Sequence, residues 1–249
     1  MAEQIDKRDR VILRNAEEQK TFEEVFDRST LMTLNSLANK KAFSYLNGVV
    51  STGKESRVYW GVKEGGENVA VKIYLTSSSD FKRRMQYVIG DPRFVKFRRG
   101  SRGIAELWAQ KEFTNLKAAY EAGVRVPSPQ IFQGNVLVME FIGENGIHAP
   151  QLTDTEITRT DYLAIIRAIK TLYTKAELVH ADLSEYNMFK YKNKIVLFDF
   201  GSAVSIKHPL ADEFLKRDIL NLNRFFEKRG IETIAETKLL SEIKGEGKK

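Results

Sequence analysis

The stretch that decides the fold of this chain is His180-Ala-Asp-Leu-Ser-Glu-Tyr-Asn187, followed twelve residues after its asparagine by Asp199-Phe-Gly201. Written as patterns these are H-x-D-x-x-x-x-N and D-F-G, and the apolar run 195–198 between them predicts a strand. The carboxylate of Asp182 can accept a proton from an attacking hydroxyl group, or at least orient it. Asn187 and Asp199 offer the oxygen ligands that Mg²⁺ prefers, and Mg²⁺ keeps most of its waters, so few protein ligands are needed.

Both motifs in this order are typical of phosphoryl-transfer enzymes of the protein-kinase type. The pattern therefore predicts ATP as the phosphoryl donor and Mg²⁺ as the cofactor, with Mn²⁺ as the alternative ion. For Asp182 and Asn187 the competing interpretation is an Asx turn, which both residue types form readily. His180 is predicted to be a buried, hydrogen-bonded residue that supports the loop.

Composition limits the alternatives. The 249 residues are 42% hydrophobic, enough for one large domain or two small lobes with a real core. Cysteine is absent, which excludes disulfides and a thiolate zinc site. Neither a secretory leader nor a membrane span is visible, so we expect a cytoplasmic protein with no membrane contact. The net charge of +7 hints at a polyanionic partner.

Patterning predicts an α+β protein with strands early and helices late, as in a two-lobed, protein-kinase-like fold. We expect a helical segment over 1–47, a small antiparallel-sheet lobe over 48–143 and a helical lobe over 144–249. Helical spacing runs from about residue 22 to 45. Strands are predicted at 57–62, 68–74, 130–132 and 136–141, and helices at 105–122, 156–175 and 210–229.

Lys72 lies among apolar residues in the predicted strand 68–74, where an unpaired ammonium group would be costly. Kinases use a lysine in such a V-A-I-K context on the α- and β-phosphates. The alternative is a lysine on an edge strand that faces solvent. Glu112 is the natural counter-ion, since helical spacing places it between Trp108 and Leu116; Glu106 and Glu121 are the alternatives.

The stretch Gly48-Val-Val-Ser-Thr-Gly-Lys54 resembles a Walker A loop but fails on two counts. Glu55 replaces the hydroxyl residue that would hold Mg²⁺, and a strand follows where a helix is needed. We therefore expect a loop between two strands that covers the phosphates. Its backbone N–H groups and the side chains of Ser51, Lys54 and Ser56 would bind nucleotide.

Residues 76–103, the basic stretch, hold eight basic side chains against two acidic ones, a net charge of +6. The basic residues are Lys82, Arg83, Arg84, Arg93, Lys96, Arg98, Arg99 and Arg102, and the interleaved aromatic residues are Phe81, Tyr87, Phe94 and Phe97. Such a mixture can bind RNA through phosphates and stacked bases. The alternative is a solvated, mobile loop whose charge offsets bound triphosphate.

Over about residues 20–230 the chain resembles the RIO kinases. The resemblance is carried by Ser51-Thr-Gly-Lys-Glu-Ser56 with Val58-Tyr59, by Leu178-Val-His-Ala-Asp-Leu-Ser-Glu-Tyr-Asn187, and by His208-Pro-Leu-Ala-Asp-Glu-Phe-Leu-Lys-Arg-Asp218. The residues of these motifs are similar to those of the first RIO subfamily in its compact, archaeal-like form.

This resemblance implies an atypical serine/threonine protein kinase and ATPase that autophosphorylates and acts in maturation of the small ribosomal subunit. By the same resemblance Asp199 can itself accept the γ-phosphoryl group, Lys72 and Glu112 form an ion pair, and Glu140 with Ile142 forms the adenine hinge. The basic stretch would be the family's flexible insertion, contacting a pre-ribosomal particle or ribosomal RNA.

Departures from ordinary protein kinases narrow the function further. Ala181 replaces the arginine of H-R-D, no A-P-E motif is present, and only 48 residues follow Gly201, too few for the usual substrate-binding helices. Two other functions remain open: a small-molecule phosphotransferase of the antibiotic-kinase type, which should have an acidic pocket, and an RNA-binding assembly factor with a vestigial nucleotide site.

Overall fold

The computed structural model describes residues 25–77 and 85–245, which form two compact units that interleave along the chain. Of these described residues, unit 1 comprises 25–77, 98–110 and 129–148, and unit 2 comprises 85–97, 111–128 and 149–245. The division of the chain into lobes at residue 143 stays a prediction. Within the described ranges no helix has the length and apolar character needed to cross a membrane.

Unit 1 contains a five-stranded antiparallel sheet with strand order β1-β2-β3-β5-β4. The strands are β1 (Tyr45–Thr52), β2 (Ser56–Val62), β3 (Asn68–Tyr74), β4 (Pro129–Gln133) and β5 (Val136–Glu140), followed by the short hairpin of β6 (Gly143–Glu144) and β7 (Ile147–His148). Helix α1 (Arg28–Asn39) contributes Leu34 and Leu37 to one apolar core with Val71 and Ile73 of β3. Burial of each such side chain stabilises the folded protein by roughly 1.5–3 kcal/mol.

The helical prediction over 22–45 was wrong at its end. Helix α1 begins after Asp27, whose side chain accepts a hydrogen bond from the N–H of Thr30, and it ends at Asn39. Residue 45 already starts β1, and residue 47, the predicted end of the helical segment, lies within that strand. Strand β1 has two register irregularities and partly exposed side chains, so it lacks the alternation that predicts a strand.

Unit 2 is mostly helical. It contains α3 (Arg159–Thr174), α4 (Ala211–Glu227) and α5 (Glu236–Lys244). Two small antiparallel ladders accompany the helices, β8 (Leu178–Val179) with β11 (Val204–Ser205), and β9 (Met188–Tyr191) with β10 (Lys194–Leu197). Helix α3 begins with a capping box in which Thr158 and Asp161 bond each other's backbone N–H groups. The predicted helices at 156–175 and 210–229 are confirmed to within a few residues.

Helix α2 (Ser101–Glu121) contributes its first half to unit 1 and its second half to unit 2. It starts four residues before the predicted 105–122 helix. Gly103 permits this start, because a Cβ atom there would lie 1.9 Å from the carbonyl oxygen of Arg98. The structure therefore confirms the α+β class, with an antiparallel sheet in unit 1 and helices in unit 2.

Candidate active site

Lys72 lies at the centre of the unit 1 sheet. Its strand β3 pairs with β2 on one side, opposite Val58, and with β5 on the other, opposite Leu137. The side chain is buried at 7% exposure, with Nζ 5.3 Å from the centroid of the Tyr74 ring. The edge-strand alternative is therefore wrong, and the sheet holds a buried ammonium group of the kind that a phosphate or carboxylate partner would stabilise.

The predicted phosphate-binding loop is shorter than expected. Gly48 to Thr52 lie in β1, so only residues 53–55 connect the two strands. The N–H of Gly53 donates to the carbonyl of Ser56 over 2.8 Å. Ser51 and Lys54 are exposed and Ser56 is half-buried, so their predicted nucleotide contacts stay predictions.

Glu140 and Ile142, the predicted adenine hinge, lie at the end of β5 in unit 1. Glu140 is the last residue of the strand and is opposite Val69 of β3, and Ile142 is buried. Their role as a hinge stays a prediction.

Helix α2 carries Glu112 fully buried. The two alternatives face elsewhere: Glu106 bonds Arg102 over 3.1 Å, and Glu121 is an exposed residue beside Lys117. Of the three candidate glutamates, Glu112 is the one that is buried. Its pairing with Lys72 stays a prediction. Lys111 and Asn115 are equally buried on the same helix.

In unit 2, Asp182 and Asn187 lie in the loop that follows β8, the catalytic loop (180–187). Asp182 is exposed, and its backbone carbonyl accepts a 2.7 Å hydrogen bond from the Asn187 amide nitrogen. Because the nitrogen donates inward, the Asn187 amide oxygen is the atom that can bind a cation. This bond of Asn187 is not that of an Asx turn, since it runs from a side chain back across five residues to a carbonyl. The Asx-turn alternative for Asp182 stays open.

His180 is buried and structural, as predicted. Its Nε2 lies 3.0 Å from the carbonyl oxygen of Phe198, which can only accept, so Nε2 carries the proton. Burial lowers the pKa of His180 below its usual value, against the opposing effects of the Phe198 bond and the nearby Asp182 and Asp199. The neutral imidazole therefore links the catalytic loop to the strand that leads to Asp199.

Asp218 on α4 binds the backbone of the catalytic loop through its side chain. Its two carboxylate oxygens accept hydrogen bonds from the N–H groups of Ala181 (2.8 Å) and Leu183 (3.0 Å), on either side of Asp182. Burial raises the pKa of Asp218 to about 7, although the bonds from Leu183 and Ala181 and the charge of Arg217 act in the opposite direction. Ala181 has a φ of 64°, and a left-handed residue with a Cβ needs such support.

The Asp199 loop (199–205) is held by α2. The Lys111 ammonium group donates to the carbonyls of Gly201 and Ala203, and the Asn115 amide nitrogen donates to those of Phe200 (2.9 Å) and Ala203 (2.8 Å). Asp199 itself has a φ of 61°, a left-handed conformation like that of Ala181. Buried donors thus fix the backbone that presents its carboxylate.

Asn187 and Asp199 fit a magnesium site by donor chemistry. The Asn187 amide oxygen and the Asp199 carboxylate are hard oxygen donors, and the chain segments that carry them are joined by a 3.0 Å bond from the Phe198 N–H to the Asn187 carbonyl. Asp182 sits five residues before Asn187 in the same unit. Unit 2 therefore combines a candidate base with two candidate metal ligands.

Sequence reasoning gave no role to Asp218, Lys111 or Asn115. A signal was present, because each is a polar residue within an apolar stripe at helical spacing: Asp218 between Leu215 and Leu222, and Asn115 between Trp108 and Ala119. A buried polar group on such a stripe needs a specific partner. That partner is the backbone of the catalytic or Asp199 loop in each case.

The basic stretch 76–103 is not a uniformly solvated loop. Tyr87, Val88, Asp91 and Phe94 are buried in unit 2, and the Tyr87 ring packs 5.2 Å from that of Phe214. Tyr87 and Phe94 therefore cannot stack on bases as predicted, which among the described aromatic residues of this stretch leaves Phe97, 37% exposed. Lys96, Arg98 and Arg99 are exposed, Arg102 bonds Asp27 in unit 1, and Phe81, Lys82, Arg83 and Arg84 lie outside the described residues.

The family model described as the RIO domain matches residues 57–239. Serine/threonine-protein kinase rio1 of Dictyostelium discoideum is 41% identical over 227 residues, which are 88% of this chain and 39% of that protein. RIO-type serine/threonine-protein kinase Rio1 of Methanocaldococcus jannaschii is 41% identical over 218 residues, 87% of this chain and 74% of that protein. The chain thus spans about two fifths of the amoebal relative and about three quarters of the archaeal one.

The fold is similar to that of the Rio2 kinase from Chaetomium thermophilum in its ADP/Mg²⁺-phosphoaspartate complex. The TM-score is 0.65 at 22% identity, covering 85% of this chain and 65% of that one. This likeness confirms the kinase-like fold predicted from the motifs.

Proposed function

This chain belongs to the RIO1 family of serine/threonine-protein kinases, and on that premise we propose that it binds ATP with Mg²⁺ and transfers the γ-phosphoryl group. The observation that carries the proposal is the pair of loops in unit 2. Asp182, Asn187 and Asp199 are presented on backbone that Asp218, Lys111 and Asn115 hold by buried hydrogen bonds. Such preorganisation is how phosphoryl-transfer enzymes lower the barrier.

Each residue has a role in this proposal. Asp182 orients the acceptor hydroxyl and takes its proton, Lys72 neutralises the α- and β-phosphates, and Glu112 holds Lys72. Asn187 and Asp199 would hold Mg²⁺, which would neutralise charge on the phosphates. Ser51, Lys54 and Ser56 contact the phosphates from the β1–β2 connection, and Glu140 with Ile142 binds the adenine.

A second acceptor is Asp199 itself. The Rio2 kinase of similar fold was crystallised as an ADP/Mg²⁺-phosphoaspartate complex, and we propose the same covalent chemistry here. A carboxylate oxygen of Asp199 attacks the γ-phosphorus, a new P–O bond forms, and the bond to the departing ADP oxygen breaks. Water then hydrolyses the acyl phosphate, so the net reaction is ATP hydrolysis.

The proposed setting is cytoplasmic maturation of the small ribosomal subunit, with a pre-ribosomal particle or ribosomal RNA as partner. The exposed cations Lys96, Arg98 and Arg99, next to the partly exposed Phe97, support this polyanionic partner. Their contribution predicts RNA binding that weakens as salt rises, and salt-independent binding would exclude them as the contact.

The deciding experiment incubates the purified protein with γ-labelled ATP and Mg²⁺, comparing wild type with Asp182→Ala and Asp199→Ala. A label that is lost in Asp182→Ala and survives hydroxylamine marks phosphoserine or phosphothreonine and a protein kinase. A hydroxylamine-labile label that disappears in Asp199→Ala marks an aspartyl-phosphate and an ATPase. Wild-type protein that binds ATP and never labels or hydrolyses it would refute the proposal.

A further inference from the structure

An ion pair between a buried carboxylate, Asp91, and a partly exposed guanidinium, Arg93 (side chain 27% exposed), lies in the described part of the basic stretch, within unit 2. Asp91 is 1% exposed, and the Arg93 guanidinium bonds it in a fork, with Nε 2.9 Å from one carboxylate oxygen and a terminal nitrogen 2.6 Å from the other. Burial alone would raise the pKa of Asp91, but the bonds and charge of Arg93 hold it below its usual value. The pair is therefore ionised and geometrically defined.

Arg93 uses its remaining terminal nitrogen on Asn115, which is fully buried on α2. The nitrogen donates to the Asn115 amide oxygen over 2.8 Å. A buried amide can face either way, and this bond decides its orientation: the oxygen points to Arg93 and the NH₂ group points to the carbonyls of Phe200 and Ala203. Both N–H groups of the Asn115 amide and one of the two lone pairs of its oxygen are thereby used.

Asp91 contacts the far end of the same loop. Its carboxylate lies 3.3 Å from the N–H of Ser205, which is the last residue of the Asp199 loop and part of β11. The Asp91–Arg93 pair therefore acts on two points of the loop, directly at Ser205 and through Asn115 at Phe200 and Ala203. These points bracket the turn that follows Asp199.

We infer that Arg93 is a positioning residue for phosphoryl transfer: by orienting Asn115 it holds the Asp199 loop in the geometry that lets Asp199 bind Mg²⁺. The inference rests on the proposed function, because it concerns the same metal site. It assigns to one cation of the basic stretch a task inside the enzyme, where the charge pattern alone predicted only nucleic-acid binding or a solvated loop.

A role in general stability is the competing explanation, and the variants separate the two. Arg93→Ala removes the fork and the bond to Asn115. Arg93→Lys keeps the positive charge but cannot make both the bidentate contact with Asp91 and the bond to Asn115. Lys244→Ala is the matched control, since it breaks another ion pair of unit 2 (2.8 Å to Asp212, with the lysine 19% exposed) that joins α5 to α4.

The first readout needs no activity. Amide hydrogen exchange of the peptide 199–206 is measured in each full-length variant without nucleotide, alongside thermal unfolding. We expect exchange in this peptide to rise in Arg93→Ala, rise less in Arg93→Lys and stay at the wild-type level in Lys244→Ala. Unchanged exchange in Arg93→Ala, or a rise spread evenly over unit 2, would overturn the inference.

The second readout is the Mg²⁺ dependence of phosphoryl transfer from labelled ATP. We expect the Mg²⁺ concentration for half-maximal rate to rise roughly 10-fold or more in Arg93→Ala, as for other residues that orient metal ligands, and to be unchanged in Lys244→Ala. A lower rate with the wild-type Mg²⁺ dependence would overturn the inference. Wild-type protein without activity at any Mg²⁺ concentration would instead refute the proposed function, so the two failures are distinguishable.

Discussion

The catalytic and Asp199 loops of unit 2 and the β1–β2 connection of unit 1 are both predicted to contact one nucleotide, yet they are built differently. Buried side chains hold both loops. Asp218 accepts hydrogen bonds from the catalytic loop, and Lys111 and Asn115 donate hydrogen bonds to the Asp199 loop. The connection, residues 53–55, is held by two 2.8 Å backbone bonds, from the Gly53 N–H to the Ser56 carbonyl and from the Leu75 N–H to the Glu55 carbonyl, and the side chains of Ser51 and Lys54 are exposed. The groups that are predicted to carry the chemistry are thus held by buried side chains, whereas those that are predicted to cover the phosphates include exposed side chains that could adjust to a nucleotide.

The largest expected effect tests the fixed side of this comparison. Asp182→Ala should reduce phosphoryl transfer by roughly 10²–10⁴-fold, because the base is removed from an otherwise intact loop. ATP affinity should remain near that of wild type, measured by calorimetry. Asp212→Ala, which removes an exposed carboxylate of α4, is the control, and an equal loss there would show that Asp182 has no special role.

Asp218 tests what fixes the loop. Its folded-state pKa of about 7 lies above the ordinary 3.8, so the folded protein keeps a proton that the unfolded chain has released. The free energy of unfolding of wild type should therefore fall as pH rises from about 4 to about 7, by roughly 4 kcal/mol from this group. Asp218→Asn cannot titrate and should lack this fall, which urea unfolding at pH 4 to 8 would reveal. Parallel pH profiles for the two proteins would contradict the assignment.

Substitution of Lys72 tests the role of the buried central strand of unit 1. Lys72→Met keeps the length of a buried side chain on the central strand but removes its charge, so kcat/KM for ATP should fall on the order of 100-fold. Lys63→Met, which removes a lysine that pairs with Glu67 at the end of β2, should be neutral. Equal ATP kinetics in both variants would place Lys72 outside the nucleotide site.

The smallest effects are expected in the adjustable connection. Ser51→Ala and Ser56→Ala each remove one hydroxyl from a segment whose backbone N–H groups remain, so KM for ATP should rise less than about 10-fold, equivalent to about 1 kcal/mol per hydrogen bond. Steady-state kinetics of the single and double variants would check this. A loss as large as that of Asp182→Ala would mean that this segment is preorganised too, and the comparison would fail.

The helices and strands that could be predicted were those with a regular hydrophobic period in the local sequence. Strands β2 and β3 and helices α3 and α4 follow simple hydrophobic periods and were placed to within a few residues. Strand β1 was missed because it is an edge strand with two irregularities and several exposed residues. The start of α2 was missed because Gly100 and Gly103 interrupt the pattern there.

The sequence alone determined the family and the kinase-like fold, and it predicted the chemistry, because the spacing of Asp182, Asn187 and Asp199 is local and each residue type has few uses in that order. Only the tertiary structure decided which groups hold those residues in place. Lys72 is buried because the strand order places β3 at the centre of the sheet. Asp218, Asn115 and Arg93 form hydrogen bonds with residues that lie 22 to 88 positions away in the sequence. Hydrogen bonds over such separations depend on packing between elements, and no local pattern of residues encodes them.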